Sequence, residues 1–174
     1  MYYVIQVESR HEDEIIDMIK KLVSDDILLD IFTPTVEQNR KYKDGWRKMT
    51  LKCFPGYVFV ETNNPTELFK ELYPVPAFTK LLGTGKKGEW SFIPLSSEES
   101  YNLEALAGKE HNITLSDVYF EEGNNIIVVS GPLQGIKGKI IRINKHKRIC
   151  VIEIEMAGRK CEVQLGINII QRDK

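Results

Sequence analysis

Residues Tyr2 to Val7 (YYVIQV) form a β-branched and aromatic run, and from Glu12 to Val23 the apolar residues Ile15, Ile16, Ile19, Leu22 and Val23 recur at helical spacing. The pattern predicts a strand followed by an amphipathic helix. Glu12, Asp13 and Glu14 fall in its first turn and Lys20 and Lys21 in its last, as the helix dipole favours. Leu29 to Pro34 predicts another strand, and the polar stretch Glu37 to Lys48 a long hairpin arm or loop. CFPGYVFVE, Cys53 to Glu61, is a Pro-Gly turn running into a strong strand. Asn64-Pro65-Thr66-Glu67 opens a short helix ending before Pro74, with an Asn cap and Pro at the first helical position. Phe78 to Leu82 reads as a strand, Gly83 to Gly88 as a flexible turn, and Ser96-x-x-Glu99 as the capping box of a third helix reaching Leu106.

Periodicity is lost after Ala107, and only strand signals follow: Ile126 to Ser130, Lys137 to Ile143, Ile149 to Met156 and Lys160 to Leu165. If Ala157-Gly158 is a two-residue turn, Met156 faces Arg159, Ile154 meets Cys161, Ile152 meets Val163 and Cys150 meets Leu165. Apolar then meets apolar on one face, while Glu155 with Lys160 and Val151 with Gln164 make the other largely polar. Gly131, Pro132, Gly135 and Gly138 interrupt the apolar sequence between Val128 and Ile140, so one long strand cannot pass. A small barrel must bend its strands sharply to close, which predicts a strand end at Gly131-Pro132 and a new strand from Lys139. The expected fold is α+β: an α/β sandwich over 1–106, a linker over 107–115 and a small all-β barrel over 116–174.

The whole chain of 174 residues has a formal net charge of −1, which conceals a division. Residues 1–122 carry 14 Lys and Arg against 21 Asp and Glu, net −7; residues 123–174 carry 10 against 4, net +6. Such asymmetry suggests modules with different partners, one of them a nucleic acid. No run approaches the apolar length of a membrane span, and the start lacks a signal-peptide pattern, so a cytoplasmic protein without membrane association is expected.

The candidate chemistry is cationic. Asn144-Lys145-His146-Lys147-Arg148, preceded by Arg142 and near Lys137, Lys139, Arg159 and Lys160, can follow phosphates, and Arg can fork to base edges. A solvated loop kept charged for solubility is the alternative. Arg40, Lys41, Lys43, Arg47 and Lys48 interleave with Tyr42 and Trp46, a composition suited to single-stranded DNA, though a hairpin tip would look the same. Gly135-Ile136-Lys137-Gly138 fits the GxxG of KH domains, but strand residues flank it where helices are required. His11, His111 and His146 have no nucleophile or metal set around them, and Cys53, Cys150 and Cys161 match no zinc spacing. The expectation is a non-enzymatic monomer without metal or cofactor, its cysteines small buried thiols.

FEEGNNIIVVSGPLQGIKGKIIRIN and EMAGRKCEVQLGINII resemble a KOW domain of the NusG/Spt5 family, with Phe120, Gly123, Gly131, Pro132, Gly135, Gly138, Gly158, Arg159 and Leu165 at the matching places. Tyr2-Tyr3-Val4-Ile5-Gln6, Pro34, Phe54-Pro55-Gly56-Tyr57-Val58 and Ile93-Pro94-Leu95-Ser96 resemble the family's N-terminal domain. The resemblance implies a transcription elongation factor that docks an aromatic face on the clamp coiled coil of RNA polymerase. It carries over Tyr3, Phe54, Tyr57 and Phe78 as polymerase-binding positions. It further implies a nascent RNA partner for the barrel, while the arm, by its composition, is expected to contact non-template DNA. Where general members carry an aromatic before the late Gly-Arg, this chain has Ala157, which puts a ribosomal protein and Rho in doubt as partners. The basic loop is similar to that of specialised antitermination paralogs of the LoaP type. Two alternatives stay open: a housekeeping modulator of pausing and termination without specific RNA binding, and a ribosome-associated KOW protein.

Overall fold

Alternation decides the first sheet. In the computed structural model, which describes residues 1–75, 80–81, 83–86 and 89–172, the opening run is β1 (Tyr2–Gln6) and is followed by α1 (Glu12–Leu22). Then come β2 (Asp30–Phe32), β3 (Thr35–Tyr42), β4 (Gly45–Lys52), β5 (Tyr57–Glu61) and α2 (Pro65–Leu72). Next are β6 (Lys80–Leu81), β7 (Gly83–Lys86), β8 (Glu89–Phe92), α3 (Ser97–Ala107) and β9 (Asn112–Ile113). The last are β10 (Ser116–Phe120), β11 (Ile126–Ser130), β12 (Lys139–Asn144), β13 (Ile149–Met156) and β14 (Arg159–Ile169). This is a mixed α/β chain ending in a small five-stranded KOW-type half-barrel, as the sequence predicts. The chain clusters into two compact units, 1–33 with 54–97, and 34–53 with 98–174.

In the first unit the sheet order is β2-β5-β1-β6. Tyr3, Ile5 and Val7 of one face pack with Val58 and Val60 against Ile15, Ile16 and Ile19 of α1 and Leu68 and Leu72 of α2. Each such aliphatic side chain contributes about 1.5–3 kcal/mol on burial. The Asn64 carboxamide caps α2 by accepting the Glu67 amide at 3.2 Å, the arrangement predicted from Asn-Pro-x-Glu. The sequence predicts a turn over Gly83 to Gly88; residues 83–86 instead pair antiparallel with 89–92.

The second unit holds two sheets, β4-β3-β9 and β11-β10-β14-β13-β12. β13 and β14 pair in the register derived from the Ala157-Gly158 turn, from Met156 with Arg159 to Cys150 with Leu165. Val151 departs from the polar face expected of it, at 4 % exposure. Two strands are additional to the sequence reading. β10 joins β14 in parallel and β11 antiparallel, and β9, inside the expected linker, pairs in parallel with β3. The interruption after Val128 has a steric cause: Gly131 has φ +97°, and a Cβ there would stand 2.6 Å from Ser116 Cα. The Ser116 hydroxyl accepts the Leu133 amide at 3.0 Å, fixing the bend. On α3, Asn102 clasps the Lys137 peptide, donating to its carbonyl at 2.9 Å and accepting its N–H at 2.8 Å. Glu99 accepts the Gly158 N–H at 2.8 Å.

Candidate nucleic-acid interface and aromatic face

Because cross-strand partners share a face, the β1–β5 register assigns the first unit's aromatics without ambiguity. Tyr2, Val4 and Gln6 pair with Glu61, Phe59 and Tyr57, and all six lie on the face opposite α1 and α2. Phe32 of β2 pairs with Phe59 and stacks on it with centroids 5.9 Å apart. Phe54 meets Phe59 edge-on at 5.5 Å, and Tyr2 meets Phe32 edge-on at 6.2 Å. Four rings therefore interlock on one sheet face, a geometry that adds to their burial.

Tyr3 is not among them. It is 6 % exposed on the helix side with Ile5 and Val58, so it belongs to the core and cannot join Phe54 in one docking face. Phe54 is also buried, at 8 %, although a Pro-Gly turn follows it, and packs edge-on against Phe59. Tyr57 and Tyr2 are the half-buried members. Phe78 lies outside the described residues. Tyr2, Phe32 and Phe59 were not singled out in the sequence, though period-two alternation in YYVIQV and YVFVE separates Tyr2 from Tyr3 and groups Phe59 with Tyr57.

The barrel's cations do not form a single patch. Asn144 to Arg148 make the loop between β12 and β13, where the Asn144 carboxamide accepts the Lys147 amide at 2.9 Å. Arg159 and Lys160 begin β14 at the other end of β13, eight residues away, or about 25 Å. Lys139 pairs with Glu153, which also meets Lys160 at 3.6 Å, and Arg142 meets Glu162 at 3.5 Å. Those acids offset much of the local charge. Lys137 lies over the Tyr101 ring at 4.7 Å. In the loop itself Lys145 lies over Phe120 at 4.0 Å and donates to Asn124 at 2.6 Å. His146 and Lys147 are exposed.

The arm is a hairpin, β3–β4, closed by Lys43-Asp44 at the tip. Arg40 opposes Arg47 on one face, beside Tyr42; Lys41 opposes Trp46 and Asn39 opposes Lys48 on the other. Arg47 lies 5.0 Å over Tyr42 and is paired with Asp44, while Lys48 meets Glu37 at 3.3 Å. Arg148 of the barrel loop lies 4.1 Å over the Trp46 ring. A cation on an aromatic face is held by the ring quadrupole.

With the architecture in view, comparison with known proteins decides the family. The family model described as transcription termination factor nusG matches residues 1–104. This chain belongs to the NusG family. The NusG protein of Staphylococcus carnosus, named a transcription termination/antitermination protein, is 27 % identical over 175 residues, covering 98 % of this chain and 94 % of its own. That of Borreliella burgdorferi, with the same name, is 24 % identical over 182 residues, covering 98 % and 97 %. A solved structure described as domain interaction in Thermotoga maritima NusG is similar in fold, with a TM-score of 0.55 at 24 % identity, over 95 % of this chain and 92 % of that one.

NusG proteins are transcription factors rather than enzymes. In this chain burial pushes the Cys53 thiol up to about 12, with Cys161 adding to it, and Cys150 up to about 11. A thiol so raised is protonated and unreactive near neutral pH. Among the described residues no group of three or more His, Cys, Asp or Glu could hold a metal ion, and no helix is long and apolar enough to cross a membrane.

Proposed function

We propose that this NusG-family protein rides on RNA polymerase during elongation and uses its basic barrel loop to engage nascent RNA, acting as an antitermination factor of the LoaP type. The functional division is then a polymerase-binding domain over 1–106, a linker over 107–115 and an RNA-binding barrel over 116–174, working as a cytoplasmic monomer. The observation that carries the polymerase half is the aromatic face of β1, β2 and β5. In this reading Tyr2 and Tyr57 are the rings that touch the clamp coiled coil, and Phe54, Phe32 and Phe59 stand behind them and fix their position. The RNA half is supported by the net +6 of residues 123–174 and by the exposed His146 and Lys147.

One observation favours a second reading, the ordinary modulator of pausing and termination without specific RNA. Lys145 is occupied by Phe120 and Asn124, and Arg142 and Lys160 by acids, so fewer cations are available than the sequence suggests. A ribosome-associated KOW protein has no use for the matched region 1–104. Transcription through an intrinsic terminator by purified polymerase, with RNA leaders drawn from a structured pool, separates these readings. Read-through that depends on both the leader and residues 145–148 is expected. Read-through independent of the leader favours the second reading, and no effect on termination or pausing refutes both.

A further inference from the structure

The hairpin arm and the barrel loop, distant in sequence, are joined in the structure by Arg148 lying 4.1 Å over Trp46. Both partners are held from behind. The Arg148 carbonyl accepts the Ile167 amide at 3.0 Å, and Arg148 itself adopts φ +53° at the end of the turn that Asn144 stabilises. At the base of the arm Gln38 donates from its side chain to the Gln164 carbonyl at 3.0 Å. There β3 passes so near β14 that a Cβ on Gly166 would stand 2.3 Å from the Glu37 carbonyl oxygen. Only glycine admits that approach. β9 adds a parallel pairing on the other edge of β3. The arm's root is thereby anchored to the strand that carries the loop's neighbour.

The hairpin register then decides which cations share the platform. Lys41 and Lys48 are on the Trp46 face; Arg40 and Arg47 are on the reverse face with Tyr42. Lys147 adjoins Arg148, and Lys145 turns away to Phe120. A guanidinium already resting on an indole has lost much of its rotamer freedom, so forking to a phosphate or a base edge costs less ordering than from a free side chain.

We propose that the arm and the loop are one nucleic-acid site rather than a DNA contact and a separate RNA contact: the Arg148–Trp46 stack is a platform for an unpaired RNA base, flanked by Lys41 and Lys147 on the phosphates. This deepens the RNA-binding half of the proposed function and rests on it. Unpaired RNA suits the platform because a splayed base stacks on aromatic and Arg planes, whereas a duplex hides its bases. Asn39, on the same face as Lys41, supplies both a donor and an acceptor, the pair of functions a ribose 2′-hydroxyl satisfies.

The test is fluorescence anisotropy of the full chain with a pool of RNA hairpins carrying randomised loops, and with DNA hairpins of the same sequences. Trp46→Ala and Lys41→Ala are each expected to weaken RNA binding about tenfold, as Lys147→Ala/Arg148→Ala does, and Arg40→Ala to weaken it less than its neighbour Lys41→Ala. Lys41 is exposed, so its variant folds even if Trp46→Ala does not. If RNA binding is lost in Lys147→Ala/Arg148→Ala and intact in both arm variants, the single site is wrong and the RNA reading stands. If the DNA hairpins bind as tightly as RNA, the assignment to RNA is overturned. If the unaltered chain binds no RNA, both fall together.

Discussion

The Glu12 carboxylate, 2 % exposed in the first turn of α1, accepts the backbone N–H of Gly56 at 2.7 Å. Gly56 in turn lends its carbonyl to the Val7 amide at 2.9 Å, so one buried acid ties the start of a helix to the Pro55-Gly56 turn between Phe54 and Tyr57. The aromatic face is therefore positioned from the helix side of the sheet. Removing the acceptor leaves a buried N–H unpaired, at a cost of about 1–3 kcal/mol. Glu12→Ala is expected to lower stability by that amount in urea unfolding, and Glu12→Gln, which keeps an oxygen, by less.

Gly131 carries a second structural demand. Its φ of +97° with ψ −175° is open to glycine alone, and a Cβ would press on Ser116. Gly131→Ala is expected to cost more than about 2 kcal/mol, from strain and overlap combined. Hydrogen exchange on the full chain would register the loss first in β10 and β11.

The thiols predict an alkaline limit. Burial raises Cys53 from 9.0 to about 12, so between those values the unfolded chain has released a proton that the folded chain retains. Stability from this group is complete below about pH 9 and is lost as pH rises toward about 12. Cys53→Ala is expected to flatten the fall of stability above pH 9 in denaturant titrations at stepped pH. Alkylation near pH 8 is expected to be slow at Cys53 and Cys150 until the chain is unfolded.

What could be read in advance follows from the range of each signal. The β13–β14 register was legible because Ala157 and Gly158, with φ of +54° and +73°, make a two-residue turn and every second residue on either side is apolar. β10 was not: in Ser116 to Phe120 the sole fully apolar buried position is Val118, and its parallel partner lies beyond three intervening strands in sequence. Tyr3 lies inside with Ile5 and Val7, as the alternation of the strand dictates, whereas family correspondence alone carries no information on which face a residue takes. The union of Trp46 with Arg148 has no local signature at all, since charge runs reveal their solvation and not what they face.

In the proposed function the aromatic face on β1, β2 and β5 binds polymerase. The most direct measurement is the affinity of the purified chain for core RNA polymerase, with Tyr2→Ala and Tyr57→Ala compared against Tyr3→Phe. Each alanine variant is expected to stay folded and to lose affinity about tenfold or more, and Tyr3→Phe to bind as the unaltered chain. Undiminished binding by the Tyr2→Ala/Tyr57→Ala double variant would contradict it.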